Sequence, residues 1–183
     1  ALVIWALWKH YKDFKDIEFI KPLYKPLIKN AADFMMNYRD TKTGLPLLSY
    51  DLWEERQGIL TFTVSTIYAG LLAAANFTEA FGETELAGEY RRGARQLREA
   101  MDKYLYLEGE KRFARMINFN KDGSVEVDLT IDASLYGVCA FGAYPADDEK
   151  VKSTMRQIRE KLWCKTKVGG LARYEIDSYY RVS

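Results

Sequence analysis

An acidic and aromatic segment separates two apolar, helix-like stretches of the chain. It covers residues 44–58 and reads Gly-Leu-Pro-Leu-Leu-Ser-Tyr-Asp-Leu-Trp-Glu-Glu-Arg-Gln-Gly. Its aromatic and acidic side chains are Tyr50, Asp51, Trp53, Glu54 and Glu55. An indole ring can stack on the apolar face of a sugar, while carboxylates accept hydrogen bonds from its hydroxyls. A carboxyl group held against an indole and beside like charges should have a raised pKa, as a general acid requires.

The same cluster also suits a purely structural role. Carboxylates are stabilised in the first turn of a helix by the helix dipole, and Arg56 is available to pair with one of them. The residues alone do not decide between a general acid and an acidic helix start.

A second segment rich in aromatic and charged residues covers 169–180 and reads Gly-Gly-Leu-Ala-Arg-Tyr-Glu-Ile-Asp-Ser-Tyr-Tyr. Arg173 presents a planar fork of donors that can hold two neighbouring oxygen atoms. The stacking surfaces with hydroxyls are Tyr174, Tyr179 and Tyr180. The structural alternative is an ion pair from Arg173 to Glu175 or Asp177 that ties down the loop. Two such loops in one helical chain favour a binding pocket, because a pocket needs several loops to converge.

The sequence does not contain the residue combinations that several other catalytic mechanisms require. His10 is the only histidine, and Cys139 and Cys164 are separated in the chain and lie in different predicted elements. These residues predict no Ser-His-Asp triad, Cys-His pair or zinc site. The Gly169-Gly170 pair lacks the strand–turn–helix context of a phosphate loop. We therefore expect neither a metal nor a cofactor.

The composition excludes several classes of partner. The 183 residues include 27 Lys+Arg and 26 Asp+Glu, for a net charge of +1, whereas a polyanion binder needs a clustered cationic excess. We therefore interpret the arginines between residues 91 and 98 as a solvated helix face and expect no nucleic acid partner. The longest apolar run, 59–77, contains several Ser, Thr and Asn residues and favours a buried helix over a membrane span.

Hydrophobic periodicity indicates which elements position the two segments. Helical spacing predicts helices over 2–11, 61–81, 84–106, 131–144 and 151–163. Pro22 and Pro26 predict a short turn of helix followed by a main helix from about Pro26. Alternation over 113–119 and 125–129 predicts one β-hairpin. The chain is therefore expected to be mainly α, with both chemical segments in loops.

Several motifs together resemble a known family. They are Ser49-Tyr-Asp-Leu-Trp-Glu-Glu-Arg-Gln-Gly58, Thr61-Phe-Thr63 with the small-residue helix 69–75, Thr130-Ile-Asp-Ala-Ser-Leu135, and Arg173-Tyr-Glu-Ile-Asp-Ser-Tyr179. In residues, order and separation they resemble the glucoamylases and glucodextranases of glycoside hydrolase family 15. The resemblance covers essentially the whole chain.

The resemblance implies both a fold and an activity. It implies about half of an (α/α)6 barrel, so residues 1–183 would form a partial catalytic domain truncated at both ends. It also implies inverting hydrolysis of terminal α-glucosidic bonds in malto- or isomalto-oligosaccharides.

The resemblance assigns roles position by position. Glu54 would be the general acid, and the substrate-binding residues would be Tyr50, Asp51, Trp53, Glu55, Arg173, Tyr174 and Asp177. Within this set, Asp51 and Trp53 would shape the surroundings of the acid, while Tyr174 and Asp177 would support the loop of Arg173. One departure is Ile176, which occupies a position where related bacterial sequences often carry Gly.

The general base of the family lies beyond the second motif. We therefore expect the chain to be inactive alone and to require the rest of the same catalytic domain as its partner, with an oligosaccharide as substrate. Two alternatives are a trehalase-like hydrolase of the same family and a non-catalytic helical interaction scaffold. The scaffold predicts a long groove or a flat face in place of a pocket, with Trp53, Glu54 and Arg173 far apart.

Overall fold

The computed structural model describes residues 1–177, so Tyr179 and Tyr180 lie outside the described residues. The chain divides into two compact units. The first combines residues 1–47 with 63–101, and the second combines 48–62 with the chain from Asp102 onward. Residues 48–58 of the first chemical segment and the described part of the second belong to the second unit.

The first unit is built from α-helices. They are α1 (Leu2–Phe14), α2 (Ile17–Leu23), α3 (Asn30–Asn37), α4 (Thr61–Ala80) and α5 (Thr84–Ala100). The π-helical segment Tyr24–Lys29 joins α2 to α3, and a second one, Met101–Leu105, follows α5 and belongs to the second unit from Asp102 onward. Among the described residues, no helix is long and apolar enough to cross a membrane.

The prolines do not separate two helices as predicted. Helical backbone continues from Ile17 to Asn37, with Asp16 capping its start by accepting a hydrogen bond from the Phe19 N–H at 3.0 Å. The prediction of a new helix from about Pro26 is therefore wrong. A π-helical turn changes the hydrogen-bond register, and we attribute the continuity to this change, which accommodates the missing donor and the bulk of the proline ring.

The helix predictions for α4 and α5 are confirmed, but only α5 is amphipathic, because α4 is buried on most of its faces. In α5 the buried residues recur at helical spacing and include Ala87, Tyr90, Ala94 and Leu97. Gly82 separates the two helices with φ of 83°, a left-handed conformation that only glycine adopts at little cost.

The second unit contains short antiparallel strands and two further α-helices. The strands are β1 (Ser49–Tyr50), β2 (Gln57–Leu60), β3 (Tyr106–Leu107), β4 (Arg112–Phe113), β5 (Met116–Phe119) and β6 (Val125–Asp128). Four of them form a sheet in the order β1-β2-β5-β6, and β3 pairs with β4. A 3₁₀ turn over Ala133–Tyr136 precedes α6 (Gly137–Ala140), and α7 covers Glu149–Leu162.

The structure confirms part of the prediction for this unit and corrects the rest. The hairpin of β5 and β6 is confirmed, with Met116 opposite Asp128 and Phe119 opposite Val125. The helix predicted over 131–144 is wrong, because it is reduced to the 3₁₀ turn and the four residues of α6. Gly142, with φ of 76°, follows α6 and lies within the range where the helix was predicted to continue.

Candidate active site

The first chemical segment forms the tip of a β-hairpin. Pairing of Ser49 with Gly58 and of Tyr50 with Gln57 leaves residues 51–56 as this tip. The Asp51 N–H donates to the Arg56 carbonyl at 2.8 Å and closes the tip. The acidic cluster is therefore not the start of a helix, and that alternative is wrong.

Asp51 is buried beneath the hairpin tip, with 6% of its surface exposed. Its carboxylate accepts hydrogen bonds from Arg115 Nη2 at 2.6 Å and from the Glu55 N–H at 2.8 Å. Burial alone would raise the pKa of Asp51, but the hydrogen bonds from Glu55 and Arg115 outweigh it and hold this pKa below its ordinary value. The raised pKa expected from the sequence is therefore wrong for Asp51.

Arg115 is a buried cation that sequence reasoning did not identify. It lies between β4 and β5, is 2% exposed, and reaches Asp132 with its Nε at 3.1 Å. Its guanidinium also lies 4.6 Å from the centre of the Tyr174 ring. The sequence feature that could have indicated a buried cation is the position of this arginine within the strand-like run 113–119, where most neighbours are apolar.

Asp132 anchors the indole of the hairpin tip. Its Oδ2 accepts a hydrogen bond from Trp53 Nε1 at 3.0 Å, and its Oδ1 accepts one from the Ser134 N–H at 2.7 Å. The second bond caps the 3₁₀ turn that follows. Asp132 belongs to one of the motifs that resemble the family, but no local pattern indicates Trp53 as its hydrogen-bond partner.

Arg173 and Tyr174 meet the tip at Glu55. Arg173 Nη2 lies 3.2 Å from one carboxylate oxygen of Glu55, and the Tyr174 hydroxyl donates to the other. The Arg173 guanidinium also lies 5.2 Å from the centre of the Trp53 ring. The hydrogen bond to Glu55, together with burial, raises the pKa of Tyr174. Trp53 and Arg173 are thus in contact, which opposes the scaffold alternative.

The ion pair proposed as a structural alternative for Arg173 is also present. Its Nε and Nη2 each lie 2.7 Å from a carboxylate oxygen of Asp177, a two-point contact that fixes the plane of the guanidinium. Glu175 does not compete for it, because its carboxylate accepts a hydrogen bond from the Ile131 N–H at 2.9 Å. Arg173 therefore forms ion pairs both within its own loop, with Asp177, and with the hairpin tip, at Glu55.

Backbone hydrogen bonds fix the loop of Arg173 against the segment that contains Asp132. The Ala133 N–H donates to the Arg173 carbonyl at 2.7 Å, and the Glu175 N–H donates to the Ile131 carbonyl at 2.9 Å. This segment thus holds the loop through its backbone and holds Trp53 through Asp132.

Glu54 occupies a strained and exposed position between two anchored neighbours. Its φ is 59°, in the left-handed region that costs an ordinary residue about 1–2 kcal/mol. The side chain of Trp53 is held by Asp132, and the backbone of Glu55 is held by Asp51. Such backbone strain persists where surrounding contacts enforce it, and it is typical of functional positions. Tyr50, at the base of the tip, is 63% exposed.

A separate open cleft of about 340 Å³ follows the hairpin of β5 and β6. It receives Arg56 from the hairpin tip but none of the predicted site residues among those described. Within residues 1–177, no group of three or more His, Cys, Asp or Glu side chains is placed to hold a metal ion.

The backbone conformation of Ile176 predicts that a substitution at this position can stabilise the fold. Its φ is 59° and its side chain is 84% exposed, so a β-branched residue occupies a left-handed position with little packing in return. We expect Ile176→Asn to increase the free energy of unfolding by about 1 kcal/mol, because Asn tolerates this conformation. Urea denaturation measures the change. Ile176→Val, which stays β-branched, should leave stability unchanged, and equal stability of the two variants would contradict the interpretation.

Comparison with known proteins places this geometry in a family. The model of glycosyl hydrolases family 15 matches residues 1–183. An uncharacterized glycosyl hydrolase of Methanocaldococcus jannaschii is 32% identical over 179 residues, which are 97% of this chain and 27% of that protein. The chain thus spans about a quarter of the length of this relative.

Solved structures share the fold. A bacterial glucoamylase complexed with acarbose superposes with a TM-score of 0.71 at 23% identity, covering 86% of this chain and 25% of that one. A glycosidase variant in complex with glucose superposes with a TM-score of 0.72 at 20% identity. The match covers 95% of this chain and 41% of that one. These neighbours confirm the expected mainly α fold as part of an (α/α)6 barrel. Together with the match over the full sequence, they lead to one conclusion: the chain belongs to glycosyl hydrolases family 15.

Proposed function

We propose that this chain supplies the acid side of an inverting exo-glycosidase site that cleaves terminal α-glucosidic bonds in malto- or isomalto-oligosaccharides. The observation that carries the proposal is the meeting of the hairpin tip with Arg173 and Tyr174 at Glu55. Family membership supports hydrolysis of a glycoside. The acarbose and glucose bound by the two structural neighbours support a glucose-like substrate.

Glu54 is proposed as the general acid that protonates the glycosidic oxygen. It is exposed at the tip, in a backbone conformation held by its anchored neighbours. Trp53 directly precedes Glu54 in the chain and is proposed to offer its indole face to the sugar.

Glu55 and Arg173 are proposed to bind hydroxyls of the sugar on the leaving-group side. Their side chains already contact each other, and Tyr174 and Asp177 hold them in place. Tyr50 is proposed as an exposed aromatic surface at the edge of the same site. For Asp51 we propose a supporting role in place of a direct sugar contact, because its carboxylate is buried and occupied by Arg115 and Glu55.

The second carboxylate of the reaction is proposed to come from outside these residues. Inversion requires a general base about 6.5–9.5 Å from the acid, with water between the base and the sugar. Residues 1–183 are accordingly proposed to be part of a catalytic domain, since they span 27% of the M. jannaschii relative. On this proposal the chain alone does not turn over substrate.

The proposal is tested by the products of the full-length protein. We expect it to release glucose from maltose or isomaltose, and proton NMR during the first minutes should detect the β-anomer, as inversion of an α-bond requires. Trehalose should remain intact. Cleavage of trehalose alone would establish the trehalase-like alternative, and initial release of α-glucose would overturn inversion. A protein that cleaves none of the three sugars would contradict the proposal.

A further inference from the structure

We infer that Arg115 is a positioning residue that sets the orientation of Glu54 without touching the substrate. The inference rests on the proposed role of Glu54 as general acid. Arg115 holds two buried carboxylates, and each carboxylate fixes one of the two neighbours of Glu54 in the chain.

The first connection runs through Asp51. Arg115 Nη2 donates to one oxygen of Asp51 at 2.6 Å, and the other oxygen accepts the Glu55 N–H at 2.8 Å. The Glu55 N–H belongs to the peptide bond that follows Glu54. Asp51 therefore fixes the backbone on the C-terminal side of the acid.

The second connection runs through Asp132. Arg115 Nε lies 3.1 Å from Asp132 Oδ2, and the same oxygen accepts a hydrogen bond from Trp53 Nε1 at 3.0 Å. Trp53 directly precedes Glu54. The indole is thus held on the N-terminal side of the acid by a carboxylate whose charge Arg115 balances.

The shape of the guanidinium is essential to this arrangement. One planar cation reaches Asp51 and Asp132 from different nitrogens and also lies over the ring of Tyr174. A lysine ammonium is a single point charge and cannot reproduce both contacts and the stacking. Without a cation, two buried carboxylates would lie close together with no opposite charge, which is strongly unfavourable.

The left-handed conformation of Glu54 depends on both connections. A non-glycine residue keeps φ of 59° only while its surroundings enforce it. If either neighbour is released, we expect the tip to relax and the carboxyl group to move away from the glycosidic oxygen. A displacement of about 1 Å in such a group can reduce the rate about 100-fold.

The experiment compares two substrates in the full-length protein carrying Arg115→Lys. Maltose needs a proton on its leaving oxygen, whereas α-glucosyl fluoride loses fluoride with little help from an acid. We expect kcat on maltose to fall about 100-fold, with KM close to that of the wild type, while kcat on the fluoride changes little. A purely structural defect would reduce both rates together, and thermal unfolding measures the folded fraction.

Arg112→Lys is the matched control. Arg112 is also buried, at 4% exposure, but it donates to the backbone carbonyls of Phe113 and Leu129. We expect it to leave the ratio of the two rates unchanged. If Arg115→Lys does not fold, Asp132→Asn removes the carboxylate charge that faces Arg115 Nε and one of the two acceptor oxygens that hold Trp53 and Ser134. This variant should show the same loss on maltose alone.

The outcomes separate this inference from the proposed function. A wild-type protein that cleaves no α-glucoside would overturn the function of Glu54 and, with it, the inference. A wild-type protein that cleaves maltose, together with equal losses on both substrates in Arg115→Lys, would overturn the positioning role alone.

Discussion

Replacing Glu54 with Gln should lower kcat on maltose about 1,000-fold in the full-length protein while leaving KM nearly unchanged. Gln keeps the size of the side chain but has no acidic proton, and general acid catalysis typically contributes about 10²–10⁴-fold to the rate. The sugar contacts proposed for Glu55 and Arg173 remain intact in this variant. Steady-state kinetics with maltose and maltotriose measure both parameters.

Glu55→Gln is the matched control for this result. Glu55 is the adjacent carboxylate, but it contacts Arg173 and Tyr174 and is assigned to binding. We expect its substitution to raise KM more than it lowers kcat, the reverse of the effect at Glu54. Near-normal turnover by Glu54→Gln, or a larger loss of kcat in Glu55→Gln, would remove Glu54 from the role of acid.

Asp51→Asn should reduce the free energy of unfolding by about 3 kcal/mol at neutral pH. The substitution leaves Arg115 with one fewer buried carboxylate, and breaking a buried ion pair from one side typically costs about 3–5 kcal/mol. We take the lower value because Asp132 remains beside the guanidinium. Urea denaturation followed by far-UV circular dichroism measures the change.

The pH dependence of this difference has a defined sign. Because the pKa of Asp51 is lowered in the folded state, its contribution is fully present above the ordinary pKa of an aspartate and is lost as pH falls through the folded value. The gap between wild type and Asp51→Asn should therefore narrow in acid. Glu160→Gln, at an exposed position on α7, should change stability little at any pH. A loss in Asp51→Asn no larger than in this control would contradict the buried pair.

The parts of the fold that were predicted correctly have strong local signals. Helices α4, α5 and α7 repeat their apolar residues over three or more turns, and the turn at Asn120–Gly123 identifies the hairpin of β5 and β6. The hairpin of β1 and β2 was missed because β1 has only two residues, too few to show alternation. The helix over 131–144 was overpredicted because its apolar pattern outweighed the glycines within it.

In the candidate site, too, the features with local sequence signals were predicted and the long-range contacts were missed. The sequence motifs identified the residues of the tip and of the loop that carries Arg173. They did not identify Arg115 as the partner of Asp51 or Asp132 as the partner of Trp53. These contacts join residues that are 64 and 79 positions apart in the chain. The error in the pKa of Asp51 has the same origin, since its carboxylate neighbours are close in sequence whereas its cation is distant. Local patterns indicated the candidate residues, whereas tertiary contacts determine the direction in which the pKa of Asp51 shifts.

The most direct measurement is the structure of the full-length protein with a non-hydrolysable α-linked oligosaccharide. The central claim predicts the Glu54 carboxyl group within about 2.6–3.2 Å of the atom that replaces the glycosidic oxygen, with Glu55 and Arg173 on neighbouring hydroxyls. A sugar bound with Glu55 at that atom, or one bound away from the hairpin tip, would contradict it.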